Sequence, residues 1–198
     1  MSDLRIAALI MAAGASSRFG GCKHLAEIGG VPILQTAVNH VRGLVAETYA
    51  VTGAWHSEIS TALSEGRVAG VTLIHNTRWQ RGLGCSIAAG VAKLATKYDG
   101  ILILLADQVA ITPEDIQALL ASFDGDNITC GLYAARRGVP AIFAARYFEQ
   151  LMALDGDKGA RSVLLCSETP VTERPMPLAA VDIDTAPALA EWVSKTQG

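Results

Sequence analysis

Two cations and three carboxylates stand where side chains of their types do chemistry. Arg18 and Lys23 belong to Leu9-Ile10-Met11-Ala12-Ala13-Gly14-Ala15-Ser16-Ser17-Arg18-Phe19-Gly20-Gly21-Cys22-Lys23, in which an apolar run passes directly into a loop of small residues. Side chains this small let backbone N–H groups come close to a ligand. The guanidinium adds a planar fork and the ammonium a point charge, a pair suited to a triphosphate. The competing reading is a surface loop with ordinary solvated charges. The segment is not a P-loop, because Cys22 separates the glycines from Lys23, and it contains no G-x-G-x-x-G.

Asp107 follows the apolar run Ile101 to Leu105 within Leu104-Leu105-Ala106-Asp107-Gln108. A carboxylate at a strand end suits Mg2+, a hard cation held through one or two carboxylates plus substrate phosphates, or else it caps the following turn. Val181-Asp182-Ile183-Asp184-Thr185 reads as the end of a strand over 180–183, which puts Asp182 and Asp184 on one face. One of them completes a metal site with Asp107, or Asp184 or Thr185 caps the helix that starts at Pro187. A fourth segment, Asn76 to Ser86, is a polar, glycine-containing turn between a strand and a helix. There Ser86 meets an anionic or polar group or simply caps the helix, and Ile87 stands where a dinucleotide fingerprint needs its third glycine.

The elements that position these residues alternate in type. Apolar runs rich in β-branched residues at 6–11, 48–51, 71–75, 101–105 and 128–133 are separated by helical patterns at 33–45, 57–64 and after Thr112, where Pro113, Glu114 and Asp115 mark a helix start. Such alternation predicts an α/β fold with a mostly parallel sheet covered by helices on both faces. Beyond it the sequence predicts a loop over 136–140, a short apolar stretch over 141–144, helices near 147–154 and 160–165, the strand over 180–183 and a last helix. In open sheets of this kind ligands sit outside the carboxyl ends of the strands, which is where Gly14, Asn76 and Asp107 fall.

With 198 residues, 51% of them hydrophobic, the chain is expected to form one domain over 1–198. Sixteen basic against 19 acidic residues, without blocks of one sign, argue against a nucleic-acid partner. The mean hydropathy is +0.32, yet no apolar run reaches the roughly 18 residues that a membrane span requires. The start of the chain does not resemble a signal peptide, so a cytoplasmic location is expected. Cys22, Cys85, Cys130 and Cys166 form no C-x-x-C pair, and reduced thiols are expected, with a nucleophilic role for Cys22 or Cys85 the minor alternative.

Taken together these segments resemble the nucleotidyltransferases of the molybdenum-cofactor type, which share a GT-A-like, Rossmann-like fold with sugar-phosphate nucleotidyltransferases. The family opens with a strand, Ala-Ala/Gly-Gly, a Ser, an Arg, Met/Phe-Gly and a Lys, as Leu9 to Lys23 do. The likeness continues through Asn76, Trp79, Gly82 and Ser86, through Leu105-Ala106-Asp107-Gln108, Gly138-x-Pro140 and Gly156 to Arg161, and ends at Asp182-Ile183-Asp184-Thr185. Ala12-Ala13-Gly14 and Leu105-Ala106-Asp107-Gln108 are nearest the branch that transfers CMP to molybdopterin, while Val109 and Val139 depart from the Pro and His usual there.

The resemblance implies a single three-layer α/β/α domain, nucleotide-binding in its first half and acceptor-binding in its second. It implies transfer of CMP from Mg-CTP to the phosphate of molybdopterin with pyrophosphate leaving, and a molybdenum hydroxylase as receiver of the product. The nucleotide residues would be Ala12, Ala13, Gly14, Ser16, Arg18, Lys23, Asn76, Gly82, Ser86 and Asp107, with Arg18, Lys23 and Asp107 catalytic. Mg2+ would rest on Asp107 with Asp184 or Asp182, and the acceptor on Gly138, Pro140, Lys158 and Arg161. Arg136 and Arg137 serve that side too or are solvated surface charges. A guanylyltransferase for the same cofactor, a transferase for a sugar phosphate, and a non-catalytic cofactor chaperone or nucleotide-binding module are the alternatives.

Overall fold

A computed structural model describes residues 4–166 and 170–196. In chain order the elements are β1 (Ile6–Ala12), the short hairpin β2 (Glu27–Ile28) and β3 (Val31–Pro32), α1 (Ile33–Val41), β4 (Glu47–Thr52), α2 (His56–Ser64), β5 (Thr72–His75), α3 (Leu83–Leu94), β6 (Gly100–Leu105) and α4 (Pro113–Ala121). There follow β7 (Ile128–Tyr133), β8 (Arg136–Ala144), α5 (Phe148–Met152), α6 (Arg161–Cys166), β9 (Val171–Pro175) and α7 (Ala186–Thr196). No helix among the described residues is long and apolar enough to cross a membrane.

Seven strands form one sheet in the order β5-β4-β1-β6-β8-β7-β9. β5, β4, β1 and β6 run parallel, β8 is antiparallel to both its neighbours, and β9 is parallel to β7, so the sheet is mostly parallel as expected. From β1 the chain steps outward to β4 and β5, then crosses back over β1 to β6. Right-handed crossovers in these two directions place α1 and α2 on one face and α3 on the other. β1 and β6, covered on both faces, are almost wholly apolar, and Leu9, Ile10 and Ile101 to Leu104 are at most 2% exposed. α3 lies close upon β1 and β4 because position 90 is glycine: a Cβ there would stand 2.7 Å from Leu9 Cδ2 and 2.8 Å from Val51 Cγ2. α4 starts with the anticipated cap, Thr112 and Asp115 exchanging side-chain and backbone hydrogen bonds.

The structure corrects the sequence reading in the second half. Residues 136–140 are not a loop but the first part of β8, joined to β7 by a two-residue turn in which Ala134 and Ala135 take φ of 48° and 56°. Turns of that type normally announce themselves with Asn-Gly or Asp-Gly, and alanine hides this one. Pro140 is tolerated because the register shifts there: Gly131 faces Gly138 while Cys130 faces Ala141, so Val139 and Pro140 bulge out of the ladder. β9, short, largely exposed and polar, has no strand signature and was not expected. The strand expected over 180–183 is absent. A 3-10 turn over Pro177–Ala180 leads into irregular chain, where buried Ile183 supplied the apolar signal that imitates a strand.

Candidate nucleotide site

β1 and β6 are adjacent strands whose outgoing connections diverge, and the loops after them open side by side at the sheet's carboxyl edge. The loop after β1 is fixed at three points. The Trp55 indole N–H donates to Ala15 O at 2.9 Å, and the amides of Phe19 and Gly20 donate to Ser16 O at 2.9 and 3.2 Å. Ser16 itself takes φ of 52°, a left-handed conformation that costs a non-glycine residue about 1 kcal/mol or more. The loop closes into a 3-10 turn over Lys23–Leu25, which carries the Lys23 side chain inward until it is 9% exposed.

Lys23 Nζ donates to Asp107 Oδ2 at 2.6 Å and to Asp184 Oδ1 at 3.3 Å, and Arg18 Nη1 meets Asp184 Oδ2 at 2.9 Å. Residues up to 166 positions apart in sequence thus form one charge-balanced cluster of two cations and two anions. Gln108 holds it in place. Its buried amide donates to Val139 O and to Ala179 O, both at 2.9 Å, tying the end of β6 to the bulge of β8 and to the 3-10 turn before Asp184. The Ile183 amide completes the tie by donating to Asp107 O at 3.2 Å.

The cluster borders a cleft of about 410 Å3. Ala13, Gly14, Ser16, Arg18, Lys23, Gly82, Ser86, Asp107 and Asp184 all line it. Ala12 and Asn76 are buried behind the lining. Asn76 instead holds the loop after β5: its Nδ2 donates to Ser86 Oγ at 3.0 Å and its Oδ1 accepts from the Arg78 amide at 3.0 Å. Ser86 is the fourth residue of α3 rather than its cap, and its hydroxyl turns back to Gly82 O at 3.4 Å. Asp182 is exposed and does not line the cleft, whereas Asp184 does.

Sequence reasoning missed Ser17, His24, Trp79, Gln80 and Asp157 as lining residues. Trp79 reaches the cleft because Gly53 leaves room: a Cβ at 53 would stand 2.5 Å from both Ala13 O and Trp79 Cβ. Asp157 arrives by docking of the 155–159 loop, where the Gly84 amide donates to Gly156 O at 2.8 Å and Arg81 pairs with Asp155. His24 gave no signal beyond its place after Lys23. Burial pushes its pKa down to about 4, so the ring is neutral at pH 7. Burial likewise pushes the Cys22 thiol up, which keeps it protonated and disfavours a nucleophilic role. Cys85 is buried, with Asn76 Nδ2 at 3.9 Å from its sulfur.

Residues 8–171 match the MobA-like NTP transferase domain. The chain belongs to this family. A curated relative, the purine catabolism protein PucB of Bacillus subtilis, is 33% identical over 86 residues, a stretch that spans 43% of this chain and 42% of that one. Among solved structures, Rv0371c of Mycobacterium tuberculosis is similar at a TM-score of 0.79 and 22% identity, over 96% of this chain and 98% of that one. Its complex with manganese gives 0.75 and 21%, over the same shares. Mth528, a nucleotidyl transferase from Methanothermobacter, gives 0.79 and 24%, over 98% of each chain. These structural likenesses establish the fold.

In this MobA-like domain the donor set for a divalent ion is small. No group of three or more His, Cys, Asp or Glu that could hold a metal occurs among the described residues. Asp107 and Asp184, however, converge on the single ammonium of Lys23, so two hard oxygen donors already face one cation position. That fits an ion such as Mg2+, which keeps most of its coordination for phosphate and water. A second cleft, of about 360 Å3, adjoins the first through the shared side chains Leu83 and Leu105. Arg136, Arg137, Gly138 and Arg161 line it over an apolar floor, whereas Pro140 is buried in β8 and Lys158 is exposed outside it. Arg137 is already engaged, donating to Glu173 Oε1 at 2.7 Å and to Leu164 O at 3.3 Å.

Proposed function

We propose that the chain transfers a nucleoside monophosphate from a magnesium-bound nucleoside triphosphate, CTP by preference, to the phosphate of a molybdopterin-type acceptor. The observation that carries this reading is the meeting of Lys23, Arg18, Asp107 and Asp184 at the mouth of a cleft large enough for a nucleotide. In the working state Arg18 and Lys23 bind the triphosphate, the base lies against the backbone of Ala13 and Gly14, and Asp107 and Asp184 hold the ion. When bound, the ion neutralises charge on the phosphates. The acceptor enters from the second cleft, where Arg136 and Arg161 bind its anionic group and Leu83, Ile87 and Tyr133 its ring system. Its phosphate oxygen attacks the α-phosphorus in line, the bond to the β-phosphate breaks, and pyrophosphate leaves. Such transfer depends on positioning and charge neutralisation, so the absence of an activated nucleophilic side chain among the described lining residues is consistent with it.

The deciding experiment supplies CTP, GTP, ATP and UTP separately, with Mg2+ and molybdenum-loaded molybdopterin, and measures pyrophosphate. Release with CTP alone is expected. Release with GTP transfers the protein to the guanylyl reaction, and no release with any nucleotide refutes the acceptor.

A further inference from the structure

Buried polar side chains in this protein nearly all have partners. Asn76 and Gln108 are bonded as described, Thr52 Oγ1 lies 2.8 Å from His56 Nδ1, and Thr129 Oγ1 donates to Ser122 O at 3.3 Å. Among the described residues the buried side-chain nitrogens and oxygens without a partner belong to Ser16 and His24 alone, and both residues line the nucleotide cleft. His24 is the more costly case, since the residue is 5% exposed and neither ring nitrogen is bonded. A buried donor or acceptor left unsatisfied destabilises the fold, so an orphan of this kind calls for a ligand, a water or a functional reason.

We propose that His24 is a nucleotide-positioning residue whose imidazole N–H donates to a phosphate oxygen of the bound triphosphate, a bond absent from the free protein. This rests on the nucleotide reading of the cleft. The ring stands beside Lys23, its neighbour in the same turn, which would meet the phosphates, and shares the lining with Asp107, which would hold the ion. A neutral imidazole carries one N–H and one lone pair, so it donates to an anionic oxygen without adding to the charge already supplied by Lys23 and Arg18. The nitrogens are shielded in the free state, so the bond forms as Lys23 moves from the carboxylates to the phosphates. The orphaned hydroxyl of Ser16 and the orphaned ring of His24 then have a common explanation: a ligand in the cleft supplies the partner that each lacks.

The test compares wild type with His24→Leu and His24→Gln, by calorimetric titration with CTP and with inorganic pyrophosphate, and by thermal unfolding of the ligand-free proteins. His24→Leu is expected to weaken both ligands about 10-fold or more, the worth of a hydrogen bond to a charged group. It is also expected to raise the melting temperature of the free protein by about 2–4 °C, since an unsatisfied polar group has been removed. His24→Gln, which restores a donor, is expected to recover most of the affinity. Affinities within twofold of wild type in His24→Leu overturn the inference, as does a loss confined to CTP, which moves the contact to the nucleoside. A fall in the free protein's melting temperature overturns it too, because the ring would then be satisfied by a structural water. A wild-type protein that binds none of the four triphosphates overturns the nucleotide reading itself.

Discussion

Replacing Lys23 with Met isolates what the ammonium does when no nucleotide is bound. In the free protein it stands 2.6 Å from Asp107 and 3.3 Å from Asp184, its side chain 9% exposed, in the position a divalent ion would have to take to use both carboxylates. The ion must therefore displace a buried, charge-assisted pair. A hydrogen bond to a charged group contributes about 1.5–3 kcal/mol, and only the Asp107 contact merits that range, because Asp184 is 35% exposed and its longer contact is screened by solvent. Lys23→Met is accordingly expected to bind Mn2+ about 10-fold to 100-fold more tightly than wild type without nucleotide, measured by the electron paramagnetic resonance signal of free Mn2+. The variant leaves Asp107 and Asp184 with only exposed Arg18 between them, so its melting temperature in a chelator should fall and recover with Mn2+. Pyrophosphate release should drop by about 10²-fold or more, since the triphosphate loses its buried cation. Mn2+ affinity equal to or weaker than wild type would refute the argument that Lys23 occupies the cation position.

Asp107→Ala should lower pyrophosphate release by about 10²-fold or more, roughly 3 kcal/mol of transition-state stabilisation, while circular dichroism remains native; unchanged turnover removes Asp107 from the reaction. Gly84→Ala places a Cβ 2.5 Å from Lys158 O, a backbone atom that cannot yield as a side chain would, and should cost about 1–2 kcal/mol, a loss of about 2–8 °C in melting temperature. An unchanged melting temperature would mean that the 155–159 loop is not clamped on α3. His24, at about 4 when folded and about 6.5 when unfolded, is neutral when folded and mostly neutral when unfolded above pH 7, so it contributes little pH dependence there. As pH falls below 6.5 the unfolded chain takes up the proton first, so stability declines toward pH 4, by about 2 kcal/mol at pH 5. Burial also lowers the pKa of His40 and His56, so urea unfolding at pH 7 and pH 5 should show a smaller decline in His24→Leu than in wild type, and equal declines in both would contradict the His24 contribution.

The first half of the fold was legible because its physics is local. β1 and β6 are buried on both faces and read as uninterrupted apolar runs, and the cap at Thr112 is written in four consecutive residues. Asp107 was legible as chemistry because a charge just after a buried strand lies at the sheet's carboxyl edge, and Arg18 and Lys23 because they stand in the loop of small residues that leaves β1. β8 and β9 were hidden for opposite reasons. β8 follows a turn whose left-handed residues are alanines, and it absorbs Pro140 through a bulge that only pairing with β7 reveals. β9 is an edge strand whose exposed face imposes no apolar pattern. His24 was illegible because an orphaned nitrogen is a statement about neighbours, and no sequence displays a neighbour that is missing.

Asp184 shows where the two kinds of information meet. The sequence placed two carboxylates on one strand face, and without that strand nothing in residues 181–185 chooses between them. The choice is made by Gln108, whose amide holds Ala179 while the Ile183 amide holds Asp107 O, so the chain between 179 and 184 is pinned at both ends to the strand that carries Asp107. With Ile183 turned inward, its neighbour Asp184 is delivered to Lys23 and Arg18, and Asp182 stays in solvent. Charge explains why a second carboxylate is needed. Lys23 and Arg18 beside Asp107 alone would leave an unbalanced cation in a partly buried cleft, and Asp107 alone offers a divalent ion one anchor. Asp184 balances the cluster in the free cleft, and under the proposed function it would supply the second anchor once the cations turn to phosphate. The segment from Ala179 to Asp184 therefore frames the candidate site even though it lies beyond the matched stretch 8–171 and has no regular secondary structure after Ala180.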